Sequence, residues 1–92
     1  MARRGTGRSR ADGPDQDDIV ATFGANLKAT RLKLGGTQAQ LAEATGLLQQ
    51  YISLVESGRQ NVTLTTAQVL AKAVNQDVRA LLVSPRRRPF KG

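Results

Sequence analysis

The sequence predicts one all-α domain of five short helices with a tail at each end. Apolar residues in the middle of the chain recur three, four or seven positions apart, which is the spacing of one face of a helix, and no stretch alternates with the period of a strand. Glycine, threonine and aspartate stand where these helical patterns begin and end. The length of 92 residues suits one small domain plus tails rather than several domains.

The first predicted helix begins at Asp17 or Asp18, because either carboxylate can cap it, and ends at the glycine pair 35–36. Gly24 lies inside this helix, where a glycine costs about 1 kcal/mol relative to alanine. We therefore expect another helix to pack closely against Gly24. The apolar positions of the first helix are Ile19, Val20, Phe23, Leu27 and Leu34.

The next two predicted helices are short and lie on either side of a glycine turn. Thr37 and Gln40 have the capping-box spacing that begins a helix over residues 38–45, and Gly46 supplies the left-handed residue that ends it. A third helix follows over residues 49–57 and ends at Gly58. Two helices joined by such a turn have the spacing of a helix-turn-helix.

Two further helices complete the predicted domain. Thr63 can cap the fourth helix and Asn75 tolerates the left-handed conformation that ends it. Asp77 can cap a short fifth helix that carries Val78, Leu81 and Leu82. The apolar face predicted for the fourth helix consists of Leu64, Ala67, Leu70, Ala71 and Val74.

The chain is strongly basic, and its charge is unevenly distributed. Fourteen Lys and Arg against seven Asp and Glu give a net charge of +7 and a pI of about 11.2, which favours a polyanionic partner. Residues 1–16 are predicted to be a disordered tail because they carry almost no large aliphatic side chain. Residues 17–83 form the predicted domain, and residues 84–92 form a basic tail containing the arginines 86–88.

Composition excludes several classes of function. The chain has no cysteine and no histidine, so it lacks the disulfides, the thiolate ligands and the side chain best suited to proton transfer at neutral pH. We therefore expect no enzyme activity, no metal, no cofactor and no small-molecule ligand. The three aromatic residues are too few to stack single-stranded bases. Since no apolar run approaches about 18 residues, we expect a cytoplasmic protein without a membrane partner.

The predicted second and third helices, with the turns that follow them, carry Gln38, Leu41-Ala42, Gly46, Ile52-Ser53 and Glu56-Ser57-Gly58. With this pattern they resemble the phage repressor, Cro and Xre-type family. The resemblance extends from Phe23 to Leu82, and it implies a lambda-repressor-like fold of five helices in which the second and third form the helix-turn-helix. It also implies double-stranded DNA as the partner. Residues 56–64 look most like the small controller proteins of restriction–modification systems.

The third helix carries the candidate base contacts. Successive residues of a helix turn by about 100°, so Ile52 and Val55 point inward and the opposite side faces away from the protein. We call that side the base-contacting face; it consists of Gln49, Gln50, Ser53, Leu54 and Ser57. Glutamine amides can pair with adenine, and a leucine can contact a thymine methyl group. The alternatives are an ordinary solvated helix face and an isolated surface leucine.

Other residues are expected to contact phosphates or to hold the helices in place. Gln38 matches the family glutamine that contacts the DNA backbone. Arg31 and Glu56 are predicted to form a structural ion pair, which the family often has at these positions; a catalytic carboxylate is the rival interpretation, and no second acid or histidine supports it. The remaining candidate phosphate contacts are Tyr51, Arg59, Gln60 and Asn61.

The resemblance, together with an apolar surface on the short fifth helix larger than one core contact needs, leads to expectations about assembly and function. Leu48 occupies the position where the family usually carries a serine or threonine N-cap, at a cost of about 1 kcal/mol. A dimer interface is expected at Val78, Leu81, Leu82 and Val83, which would place two third helices about 34 Å apart on a palindromic operator. The main hypothesis is a sequence-specific transcription regulator, either a controller protein or a stand-alone repressor. The alternative is an antitoxin-type interaction module with autoregulatory DNA binding.

Overall fold

The computed structural model describes residues 18–84, and within that range it consists of five helices without a strand. The helices are α1 (Ile19–Lys33), α2 (Gln38–Thr45), α3 (Gln49–Glu56), α4 (Leu64–Ala73) and α5 (Val78–Leu81). The predicted all-α fold is confirmed. The predictions for the two tails, and Asp17 as an alternative cap, lie outside the described residues. In the part that is described, no helix has the length and apolar character needed to cross a membrane.

Side chains cap four of the five helices in the described range. Asp18, Thr37, Thr63 and Asp77 each accept a hydrogen bond from a backbone N–H in the first turn of the helix that follows. The capping box predicted at the start of α2 is present. The exception is α3, whose N-cap Leu48 makes no side-chain hydrogen bond. Local sequence therefore sets where most of these helices begin.

All five helices contribute to the core, and most of the predicted apolar positions belong to it. The exceptions are Ile19, Leu34 and Leu64, which are 55%, 56% and 80% exposed. The prediction that these three residues face the core is wrong; each is the first residue or the cap of its helix, at the end of the apolar stripe. The buried apolar residues are Phe23, Leu27, Leu41, Ile52, Val55, Ala67, Leu70, Ala71, Val74 and Leu81.

The close packing expected at Gly24 is present. A Cβ atom added to Gly24 would collide with the backbone carbonyl oxygen of Val55 in α3. Only glycine lets the two backbones approach so closely at this crossing. Ile52 and Val55 are 0% and 1% exposed on the same side of α3, so α3 is fixed to α1 along one side and its opposite side is left open.

The short helix α5 is held to α1 by Asn26. The Nδ2 atom of Asn26 donates to the carbonyl oxygens of Leu81 and Val83, at 2.9 and 3.0 Å. Leu81 is only 2% exposed and fills the core of its own domain, so it offers no surface to a second subunit; the expectation of an interface at this residue is corrected. Val78 and Leu82 are partly buried against the core, and Val83 is 60% exposed.

Candidate nucleic-acid interface

The outward side of α3 is polar and open to solvent. Gln49, Gln50, Ser53 and Ser57 are exposed, and Leu54 is half-buried. Each glutamine amide offers a donor and an acceptor in one plane, which is the arrangement needed to pair with the edge of an adenine. The Ser57 hydroxyl donates to the carbonyl oxygen of Leu54 at 3.0 Å, so this hydroxyl is left mainly as an acceptor for other partners.

The N-terminal end of α3 differs from that of the other helices. Leu48 is 76% exposed and makes no side-chain hydrogen bond to the first turn. The first N–H groups of a helix have no acceptor within the helix, and they carry a partial positive charge. An exposed apolar side chain thus precedes Gln49 and Gln50 at the start of α3.

Gln38, the first residue of α2, has a partner that was not predicted. It is half-buried, and its side-chain Nε2 donates to Glu56 Oε1 at 3.0 Å. This bond directly connects the two helices of the helix-turn-helix. The predicted burial of Glu56 could have indicated this bond. A buried carboxylate has more acceptor positions than one arginine fills, so a second hydrogen-bond donor to Glu56 was to be expected.

Arg31 and Glu56 form an ion pair inside the domain. Arg31 Nε lies 2.7 Å from Glu56 Oε2, and Arg31 Nη2 lies 2.8 Å from Glu56 Oε1. The two side chains are 9% and 2% exposed. Arg31 Nη1 also donates to the carbonyl oxygen of Gly36 at 2.9 Å. The pair joins the last turn of α1 to the end of α3 and to the loop before α2.

The surroundings of Glu56 keep it ionised. Burial raises the pKa of this carboxyl, but hydrogen bonds from Arg31 and Gln38, together with the charges of Arg31 and Lys28, outweigh burial and leave the pKa below its ordinary value. The hydrogen bond to Glu56 likewise raises the pKa of Arg31, against the effect of burial. The interaction is therefore a charged pair at neutral pH.

The remaining predicted phosphate contacts lie on α3 and just after it. The backbone N–H of Arg59 donates to the carbonyl oxygen of Leu54 at 2.9 Å, which ties this residue to the end of α3. Arg59 and Asn61 are exposed and Gln60 is half-buried, and Gln60 Nε2 donates to the carbonyl oxygen of Asn61 at 3.0 Å. Tyr51 is half-buried against the core.

Comparison with known proteins also identifies a helix-turn-helix domain in this chain. Residues 27–81 match the family described as Helix-turn-helix. The chain is 42% identical over 73 residues to the control protein C.SmaI of Serratia marcescens, covering 75% of this chain and 87% of that protein. It also resembles the crystal structure of the hypothetical transcription factor NHTF from Neisseria, with a TM-score of 0.74, 33% identity, and coverage of 79% of this chain and 84% of the other.

A further similar structure contains DNA. It is the tetramer of the restriction–modification controller protein C.Esp1396I in complex with its natural 35-base-pair operator, with a TM-score of 0.63 and 25% identity. The match covers 68% of this chain and 83% of that one. The resemblance to the repressor and controller family is thereby confirmed.

Proposed function

The chain belongs to the helix-turn-helix family, and we propose that it is a transcriptional regulator of the controller and repressor type that binds specific sequences of double-stranded DNA. The observation that carries the proposal is the division of α3 into two sides. Ile52 and Val55 are buried against the core, while Gln49 and Gln50 are exposed on the helix end that the family inserts into the groove. The relatives named above support the same function.

Base recognition is assigned to the base-contacting face of α3. Gln49 and Gln50 each pair through the side-chain amide with adenine N6 and N7 in the major groove, and Leu54 contacts a thymine methyl group. The shorter side chains of Ser53 and Ser57 make polar contacts with the DNA along the same face. The domain supplies a rigid support for these contacts, because Gly24 and the Arg31–Glu56 pair fix the orientation of α3.

Phosphate contacts hold the domain in register on the duplex. Gln38 at the start of α2 binds one strand, since the N-terminal end of a helix favours an anion. Tyr51, Arg59, Gln60 and Asn61 bind phosphates on the other side of the groove. These contacts orient α3 without distinguishing base sequences, and the charged contacts among them make the affinity fall as salt concentration rises.

A dimer on a palindromic operator is the proposed assembly. A groove of about 210 Å³ lies between α1, residues 60–62, the start of α4 and the end of α5, and Ile19, Leu64 and Leu82 contribute to its lining. Ile19 and Leu64 are exposed there, as is Val83, the neighbour of Leu82. The proposed interface combines this surface with Val78, which is partly buried against the core. A two-fold axis through it would present two copies of α3 to half-sites about 34 Å apart.

Selection of bound duplexes from a random pool tests the proposed function. We expect an enriched sequence with two inverted half-sites whose centres lie one helical turn apart. The same selection with a Gln49→Ala and Gln50→Ala double variant should lose enrichment at adenines within each half-site. Recovery of no sequence preference with the wild-type protein would contradict the proposal. An enriched site without inverted symmetry would contradict the dimer alone.

A further inference from the structure

We propose that Glu56 is a positioning residue for DNA binding: its carboxylate holds the side-chain amide of Gln38 and leaves the second N–H of that amide for a DNA phosphate. The inference rests on the proposed function and goes beyond it, since an ion pair between Glu56 and Arg31 would by itself only join α3 to α1. Through Gln38, the same carboxylate also sets the geometry of a phosphate contact on α2.

The Glu56 carboxylate is a fixed acceptor. Its side chain is 2% exposed, and Arg31 donates to both of its oxygen atoms, at 2.7 and 2.8 Å. The guanidinium is in turn held by the carbonyl oxygen of Gly36 at 2.9 Å. Because a planar guanidinium engages both oxygens, the carboxylate cannot turn without breaking several bonds. Its free acceptor positions therefore point in constant directions.

The Gln38 amide uses only part of its hydrogen-bonding capacity in the protein. The Nε2 atom carries two hydrogens, and the 3.0 Å bond to Glu56 Oε1 occupies one of them. The acceptor is charged, so this bond is stronger than one between neutral groups. A phosphate oxygen accepts hydrogen bonds and donates none, so it requires an N–H. Gln38 is half-buried, at a helix start where the backbone also favours an anion.

Fixing the Gln38 amide before DNA binds increases the affinity for DNA. A glutamine side chain that is free in solution must be ordered when it binds, and this ordering weakens association by about fivefold for one side chain. With the amide bonded to Glu56, that entropy is lost on folding instead of on binding. The gain applies to every DNA sequence, because the phosphate contact carries no base information.

A double-mutant cycle tests the coupling between Glu56 and Gln38. Gln38→Met removes both N–H donors, while Arg31→Met with Glu56→Met replaces the ion pair by apolar side chains of similar size, a change that folded proteins often tolerate. Binding is measured by fluorescence anisotropy to the duplex selected above and to a random-sequence duplex of equal length. The matched control is Gln68→Met, at an exposed glutamine on α4. Circular dichroism at the assay temperature establishes that each variant is folded.

The expected result has two parts. Gln38→Met weakens binding to both duplexes by the same factor, about tenfold, and the control weakens neither. Replacing the ion pair weakens binding about fivefold when Gln38 is present and has no further effect when Gln38 is already replaced. An equal loss from the ion-pair change in both backgrounds would overturn the inference, since Glu56 would then act through the fold and not through Gln38.

The wild-type protein supplies an independent measurement if the ion-pair variant does not fold. In ¹⁵N-labelled protein, one side-chain amide proton of Gln38 should be shifted by its bond to Glu56 before DNA is added. On addition of the selected duplex, the second proton should shift while the first keeps its position. Return of the first proton to the position of a free amide would overturn the inference. Wild-type protein that binds no duplex at all would instead contradict the proposed function.

Discussion

Glu56 makes the stability of the domain dependent on pH. Its pKa is lower in the folded protein than its ordinary value of 4.5, so the folded state binds the proton less well than the unfolded state. The stabilisation is complete above pH 4.5 and is lost as the pH falls through the folded pKa. Asp77, whose pKa is lowered to about 2 by hydrogen bonds from Arg79, contributes in the same direction from an exposed position.

Glu56→Gln is therefore expected to change stability and its pH dependence together. At pH 7 the variant should lose roughly 3–5 kcal/mol, because Arg31 keeps a buried charge without its partner. Between pH 6 and pH 3 its unfolding free energy should fall less than that of the wild-type protein. Urea denaturation at each pH measures both effects, with Glu43→Gln, at an exposed glutamate on α2, as the control. An unchanged pH slope in Glu56→Gln would show that the carboxylate is not stabilised by its partners.

At the scale of single residues, the partner of a buried charge was the most predictable contact. Arg31 follows Leu27 by four positions and so lies on the apolar stripe of α1. A buried charge there requires an opposite charge, and Arg31 is in contact with Glu56. The bond from Gln38 to Glu56 was not predicted, because a glutamine at a helix start satisfies the family pattern without any partner inside the protein. Base contacts by Gln49 and Gln50 remain predictions.

At the scale of the helices, Leu48 is the clearest departure from local preference. Leu48→Ser should restore a side-chain cap to α3 and raise the unfolding free energy by about 1 kcal/mol. Leu32→Ser is the control, since Leu32 is also an exposed leucine, 56% accessible, but lies inside α1. Chemical denaturation at neutral pH measures the difference. A Leu48→Ser protein no more stable than the wild type would contradict the role of this position as an uncapped helix start.

The crossing of α1 and α3 depends on Gly24. Alanine is the better helix former by about 1 kcal/mol, yet Gly24→Ala should destabilise the domain by roughly 1–3 kcal/mol, because the added Cβ meets the Val55 carbonyl oxygen. Gly36→Ala is the matched control, since a Cβ there would have neighbours only at ordinary contact distance, 3.7 Å. Thermal denaturation compares the two. Equal stability of both variants would show that the close approach is not required.

Helix boundaries were predictable because caps and left-handed residues are local signals. Gly46 and Asn75 have the positive φ expected of them, 78° and 58°. The exposure of Ile19 and Leu64 was not predictable from the same pattern. Apolar spacing identifies the face of a helix, but how far a neighbouring helix covers that face depends on tertiary packing.

At the scale of the whole molecule, the proposed dimer depends on the apolar surface around the end of α5. Val83→Asp places a charge on that surface and should shift the protein from dimer to monomer at micromolar concentration. Leu34→Asp, at an exposed leucine beyond the other end of α1, should leave the assembly unchanged. Sedimentation equilibrium measures the mass. A Val83→Asp protein that remains a dimer would locate the interface elsewhere.

The charge of the described part of the chain also bears on how it meets DNA. Two acidic residues are engaged by arginines, Glu56 by Arg31 and Asp77 by Arg79 at 2.8 Å. Outside these two pairs, residues 18–84 contain four basic and two acidic side chains. Such a surface attracts any duplex, and its charge alone does not distinguish one sequence from another.

The proposed sequence recognition depends most on the outward amides of α3, and the effect of Gln50→Ala on binding to two duplexes tests it most directly. Affinity for the selected duplex should fall by about 1–3 kcal/mol, while affinity for a random duplex of equal length should change little, because the amide contacts a base and not the backbone. An equal loss on both duplexes, or no loss on either, would contradict the assignment of sequence recognition to this face.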